Sequence, residues 1–189
     1  MGPLLGRTTT FVFGGRADNL AFARSMLPRA VGATGACTIF DADALYASNA
    51  EYVMVPLADS ARQVEVVVPE PDSDLEAELA QLLGAARDGA LVLDSLNSLY
   101  HLLPAGGRSS KSRNLAYTMA LLAYLAREEG RTVLLTMYER DRTARFGRGK
   151  SISELSDITT SVRPSLGALT MRCERGTAWP GGTFTLPMA

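Results

Sequence analysis

Cysteine and histidine are almost missing from this chain of 189 residues, which has two cysteines, Cys37 and Cys173, and one histidine, His101. There is no Cys-x-x-Cys pair and no Cys/His cluster, so a structural zinc site has no ligand set. His101 lacks a Ser/Asp or Cys partner and reads as a packing or capping residue, not a catalyst. Both cysteines fall in strand-like segments and read as buried thiols. Long apolar runs are missing too. None reaches the roughly 20 residues that span a bilayer, and no signal-peptide pattern opens the chain. A cytoplasmic, reduced protein with no membrane contact is expected. Nor does one sign of charge dominate: 19 basic residues face 20 acidic ones, for a net charge of −1. A wholesale basic surface is excluded, and any nucleic-acid contact rests on local patches.

What is present is an ordinary globular balance, 47% hydrophobic and 21% charged. The length suits one domain, residues 1–189, with a substantial core. Thr8–Phe13 reads as a first strand. A helix is expected from about Asn19 to Leu27, stopped near Pro28. Ala36–Phe40 is a second strand ending at Asp41-Ala42-Asp43, and Glu65–Pro69 a third, with a weaker strand signal at Tyr52–Val55. Ser73-Asp74-Leu75-Glu76 has the form of a capping box, opening a helix to about Arg87 with Leu75, Leu79, Leu82 and Leu83 on one face. Ala90–Leu93 is a fully apolar strand that stops at Asp94-Ser95. A glycine- and base-rich loop comes next, then a long helix from about Asn114 to Glu129 with Gly130 as its stop, and an apolar strand, Thr132–Thr136. On that helix Tyr117, Leu121 and Tyr124 are expected to form a packing face. Alternating helices and unbroken apolar strands predict a buried, mostly parallel sheet with helices on both faces. Ile158–Val162, Ala168–Glu174 and Thr183–Pro187 predict an antiparallel extension at the sheet edge. Trp179, in the turn before the last strand, is expected to cover the sheet end.

Strand, glycine turn, helix is the setting of a phosphate-binding loop, whose pattern is Gly, four residues, Gly, Lys, Ser/Thr. Counted from Gly14-Gly15, the second glycine is Asn19, the lysine is Leu20 and the hydroxyl residue is Ala21. Leu20 and Ala21 supply neither charge nor hydroxyl, and Asp18 adds negative charge to the loop. The frame implies a nucleotide-binding fold that does not hydrolyse nucleotides. No cofactor is expected, ATP with Mg²⁺ being the one the intact frame would take. Asp94-Ser95 is either a helix or loop cap at the strand end or a relic metal-ligand position. Asp41 and Asp43 are either solvated acids or part of a ligand edge, because open α/β sheets bind ligands at the carboxyl ends of their strands.

In this order the pieces resemble the ATPase core of the RecA/RadA recombinase family, especially its short archaeal RadB-like and RadA-paralogue branch; the KaiC-like ATPases share much of the pattern. Phe40-Asp41-Ala42-Asp43 is similar to the family's strand ending in Asp-x-Glu. Leu91-Val92-Leu93-Asp94-Ser95 is similar to its Walker B strand. Arg175-Gly176 and Phe184 are similar to its tail. The resemblance implies a RecA-like, P-loop-NTPase-type three-layer sandwich with antiparallel C-terminal strands. It implies that Asp94 stands where the family holds its Mg²⁺ shell. Asp43 stands where a Glu orients the attacking water, one methylene short. Met137-Tyr138 replaces a polar nucleotide-sensing pair. With seven residues before the first strand, no autonomous filament is expected.

Two basic segments fall where the resemblance places the family's DNA-binding loops. The first holds Arg108, Lys111 and Arg113. The second holds Arg140, Arg142, Arg145, Arg148 and Lys150, with Phe146 among them. Arg and Lys contact phosphates, and an aromatic ring stacks on an unpaired base. The expectation is an accessory protein of recombination or repair without ATP turnover, with single-stranded DNA along both segments. The alternatives are a non-catalytic subunit paired with a RadA-type recombinase or another ATPase, and a weak ATP binder.

Overall fold

The computed structural model describes residues 4, 6–70, 74–85, 89–103, 108–139, 145–146, 150–151, 155–176 and 182–187. Strands β1 (Arg7–Phe13), β2 (Ala36–Asp41), β3 (Gln63–Val67), β4 (Ala90–Asp94), β5 (Thr132–Tyr138), β8 (Ile158–Ser165), β9 (Ala168–Arg175) and β10 (Thr183–Pro187) form one sheet. Its order is β10-β9-β8-β1-β5-β4-β2-β3. The β8, β1, β5, β4, β2 and β3 strands run parallel, and the pairings of β9 with β8 and β10 are antiparallel. Between β5 and β8, a two-residue-per-strand hairpin, β6 (Arg145–Phe146) with β7 (Lys150–Ser151), stands apart from this sheet.

Period-two alternation divides the core into two layers. Phe11 and Phe13 on β1, Ile39 on β2, Val92 on β4 and Leu134 on β5 face one side. There they meet α1 (Arg16–Ser25), α2 (Leu27–Gly32) and α3 (Ala50–Ser60). Val12, Phe40, Leu91, Leu93, Val133 and Leu135 face the other side, against α4 (Leu75–Ala85), α5 (Leu96–Leu102) and α6 (Arg108–Glu128). The result is an α/β three-layer sandwich. Phe22 of α1 fills the first layer, its ring 4.5 Å from Phe11 and 5.3 Å from Phe13, centroid to centroid.

Several expectations fail for identifiable reasons. The first helix starts at Arg16, not Asn19, and Pro28 does not end the helical path. Pro28 sits in the first turn of α2, where its missing N–H is one of the groups left unbonded in any helix. Tyr52–Val55 is helical, inside α3. Its strand-like composition is overridden because Val53 and Leu57 are buried on one helical face. The cap of α4 is Asp74, whose carboxylate accepts the Ala77 N–H at 3.1 Å; Ser73 lies outside the described residues. Helix α5 has no signal in the sequence pattern. Ser95 caps it by accepting the Ser98 N–H at 3.3 Å, which settles the capping role for Ser95.

The packing face on α6 is also corrected. Leu115, Met119, Leu122, Leu125 and Ala126 are buried, whereas Tyr117 and Tyr124 are 72% and 58% exposed. Leu121 does pack against the core layer, and with Tyr117 it lines an apolar groove between α6 and α4. Helix α6 ends as expected at Gly130, whose φ of +67° suits glycine. Cys37 is buried, and burial pushes its thiol up to about 12. Cys173 is only half-buried, its thiol donating to the carbonyls of Arg175 and Gly176. Trp179 lies outside the described residues.

These positions make a simple contrast. Phe22→Ala should cost about 3–5 kcal/mol, because the fully buried ring leaves a cavity between β1 and α1. Tyr124→Ala, on the exposed face, should stay within about 0.5 kcal/mol. Urea midpoints measure both, and equal losses would contradict the assignment of faces.

Candidate functional site

Parallel strands deliver their last residues to one edge. Phe13, Asp41, Asp94 and Tyr138 end β1, β2, β4 and β5 there. The turn after β1 consists of Gly14 and Gly15 alone, since α1 begins at Arg16 and the Asn19 N–H donates to the Gly15 carbonyl at 3.3 Å. A phosphate-binding loop needs several unpaired N–H groups arranged around an anion. Two residues between strand and helix cannot form that cradle. A Cβ added at Gly14 would lie 2.8 Å from Asp18 Oδ2 and 3.2 Å from Arg163 Nη1, whereas one added at Gly15 would meet nothing within 4 Å. A carboxylate and a guanidinium thus both stand beside Gly14.

The substituted loop residues divide by helical direction. Leu20 and Ala21 are half-buried and pack against the apolar core of α1–α3. Asn19 is the loop residue that points inward, fully buried. Its Nδ2 donates to Asp94 Oδ1 at 2.7 Å and to Tyr138 Oη at 3.3 Å, and its Oδ1 accepts from Tyr46 Oη at 2.8 Å. Thr136 Oγ1 also donates to Asp94 Oδ1. The Tyr138 N–H donates to Asn97 Oδ1 at 3.0 Å. Met137 faces the opposite layer and is fully buried. The polar network thus joins α1, β4 and β5 through one carboxylate.

The two acids after β2 behave differently. Asp41 is fully buried, not solvated. Its carboxylate accepts the N–H groups of Leu45 at 2.9 Å, Tyr46 at 3.0 Å and Ala47 at 2.8 Å, closing a turn in which Ala44 takes a φ of +53°. Asp43 is half-buried, and Arg16 stands 3.8 Å from its Oδ2. Burial pushes the Asp94 carboxyl up to about 7. The hydrogen bonds from Thr136 and Asn19 oppose that rise, and the charges of Asp43 and Asp41 add to it. Burial also raises Asp41, against its backbone donors. Tyr46 and Tyr138 are raised too, burial first, with the Asp94 charge adding to it.

Beside this network lies a polar cleft of about 210 Å³ lined by Gly14, Gly15, Arg16, Asp43, Asn97, Ser98, His101 and Tyr138. Ligand pockets for drug-sized molecules run to about 300–1,000 Å³, so this one suits water, an ion or a small polar group better than a nucleotide. His101 is exposed at its mouth, not packed in the core.

The first basic segment is not a loop. Arg108, Lys111 and Arg113 lie in the opening turns of α6. Lys111 Nζ donates to the His101 carbonyl at 3.0 Å and lies 5.9 Å from the Tyr100 ring centre, so this cation is occupied in joining α6 to α5. Arg113 is exposed. Of the second segment, Arg145 and Phe146 form β6 and Lys150 opens β7, and β6 lies against α6. Arg140, Arg142 and Arg148 lie outside the described residues. Glu139, one of two acids near this segment, is paired with Arg163 at 2.5 Å.

Tyr46, Asn97 and Thr136 are site residues that sequence reasoning missed. Only the polar Thr136 inside an apolar strand offered a signal. No protein-family model matches the chain, and no curated protein matches it.

A carboxyl group that sits higher when folded binds its proton more tightly in the folded state. Its stabilising contribution is complete below the unfolded value, 3.8, and is lost as pH rises through about 7. Asp94→Asn keeps an oxygen for Asn19 and Thr136 and removes the charge. In chelator, the variant should therefore gain on the parent as pH rises from 4 to 8, by about 2–4 kcal/mol at the upper end. Chemical denaturation across pH measures this, and parallel curves would refute it.

Proposed function

We propose that this chain is a RecA/RadA-like protein without ATP turnover, serving as an accessory subunit that holds single-stranded DNA during recombination or repair. One observation carries the non-catalytic reading. Asn19, on the residue frame of the phosphate loop, is bonded to Asp94, on the frame of the Walker B strand. The two halves of a nucleotide site are here each other's partners. The two-residue turn before α1 and the cleft of about 210 Å³ beside it suit a small polar group better than a nucleotide. The three-layer fold and the meeting of Gly14, Asp43 and Asp94 at one edge support the RecA-like resemblance.

The nucleic-acid part rests on charge. Arg108, Lys111, Arg113, Arg140, Arg142, Arg145, Arg148 and Lys150 are concentrated in two segments of a protein whose net charge is −1. The contact between β6 and α6 supports reading them as one surface. The pairing of Glu139 with Arg163 leaves the second segment with less local negative charge to offset it. Phosphate neutralisation by such residues is sequence-independent and weakens with salt.

Fluorescence anisotropy with a labelled oligothymidylate tests the proposal. Binding at low salt is expected, with log K falling by about 0.7 per phosphate contact for each unit of log salt. Replacing Arg142, Arg145 and Arg148 by Ala should weaken binding at least about tenfold and flatten that slope by about 2. No binding at low salt, or no change in the triple variant, would sink it. Binding that arises only with an active ATPase subunit present would assign the chain to the interaction role instead.

Calorimetry addresses the nucleotide. ATP with Mg²⁺ should give no binding tighter than about 100 µM. The double variant Leu20→Lys, Ala21→Thr should not create it, because both positions face the core. Micromolar ATP binding in either protein would overturn the reading of the turn.

A further inference from the structure

Asp41 and Asp94 end neighbouring strands and are paired in register, and Asp43 comes two residues after β2. One carboxylate oxygen from each of the three lies within 4.8 Å of the others. Bases do not match these charges. Among the described residues the paired cation is Arg16, 3.8 Å from Asp43 Oδ2, with a side chain 67% exposed. Three backbone N–H groups hold Asp41, and Asn19 and Thr136 both bond the same oxygen of Asp94, Oδ1. Two oxygens are left over, Asp94 Oδ2 and Asp43 Oδ1. Both are buried and have no hydrogen-bond partner among the described residues. A buried carboxylate oxygen without a donor is costly, and such an orphan calls for a counter-ion.

We propose that Asp41, Asp43 and Asp94 form a divalent-cation site that fills without nucleotide. The donors are hard oxygens, which select Ca²⁺, Mg²⁺ or Mn²⁺ over zinc or copper. Oxygens on opposite sides of Ca²⁺ stand up to about 5 Å apart and those around Mg²⁺ about 4.2 Å, so oxygens within 4.8 Å of one another can meet on either ion. The adjoining cleft has room for the waters that complete the shell. This differs from the magnesium shell implied by the family resemblance, which a phosphate-loop hydroxyl and a nucleotide would complete. Neither is needed here, and the loop hydroxyl does not exist.

The test uses the full chain stripped with EDTA, dialysed, and titrated with CaCl₂, MnCl₂ or MgCl₂ in the absence of nucleotide. One divalent ion per chain is expected by calorimetry. Tm should rise by about 5–10 °C at a hundredfold excess over Kd. Terbium should bind in competition with calcium and luminesce through Tyr138, which shares the Asn19 amide with Asp94. Asp43→Asn and Asp94→Asn should each weaken binding on the order of 100-fold, and Asp59→Asn, at an exposed position, should not. Circular dichroism checks that each variant is folded, and Asp43, being half-buried, guards against a folding defect at Asp94. Absence of heat and of a Tm shift in the parent would overturn the proposal, a lone proton then serving the orphan oxygens. So would unchanged binding in both variants, or binding that needs ATP.

Discussion

The hydrogen bond from Asn19 to Asp94 is the interaction on which the rest of this edge depends. Asp94 ends a strand near the middle of the sheet, with β5 and β2 beside it, and solvent does not reach it. A carboxylate in that position must be satisfied from within. Asn19 and Thr136, each from a different element, do this for Oδ1. Asn19 in turn occupies the phenols of Tyr46 and Tyr138. One amide therefore fixes the inward end of α1 against β4, β5 and the turn after β2. Removing it leaves a buried carboxylate short of a donor and two phenols short of a partner, which costs more than a single exposed hydrogen bond.

The same bond sets this edge apart from a phosphate-binding one. A phosphate loop works because its backbone encircles an anion and its helix starts beyond it. Here α1 starts two residues after β1, and its first backbone bond runs from the Asn19 N–H to the Gly15 carbonyl, so the short turn offers no encircling loop before the helix. The helix then carries residue 19 to the strand end and turns residues 20 and 21 toward the apolar layer. A charge at either of those half-buried positions would lie against the apolar layer.

The layers were legible because period-two alternation on β1, β4 and β5 and unbroken apolar strands depend on local composition alone. The closing hairpin strands were legible for the same reason. Less visible were features decided by tertiary partners. Tyr52–Val55 has strand-like residues but becomes helical because Val53 and Leu57 find the first core layer. The start of α6 reaches back over Arg108–Arg113, residues whose charge and serine content read as loop; Lys111 helps by anchoring to the α5 carbonyl. The tyrosines of α6 have helical spacing, yet they lie one face over from the buried leucines, and spacing alone does not say which stripe meets the sheet. The loop frame met the same ambiguity. Counting along the motif placed Asn19, Leu20 and Ala21 together, and of the three the helix brings Asn19 to Asp94.

The acidic edge and the basic segments are coupled by covalent proximity more than by charge. Ser95 comes directly after Asp94 and caps α5, and Lys111 ties the opening of α6 to the far end of that helix. The route from the buried carboxylates to the basic helix start is therefore one short capped helix. Such a route transmits a signal only if an element along it has two positions with different ligand affinities. Asp94 itself meets half of that requirement, because a buried carboxyl raised to about 7 changes charge near neutrality. The other half would have to lie in α5, whose cap is a neutral hydroxyl accepting one backbone N–H. A neutral cap gains nothing from the charge next to it beyond the dipole of a seven-residue helix, and that effect is small and screened. The physics accordingly favours a scaffold in which the acidic edge sets local stability and the basic segments act independently of it.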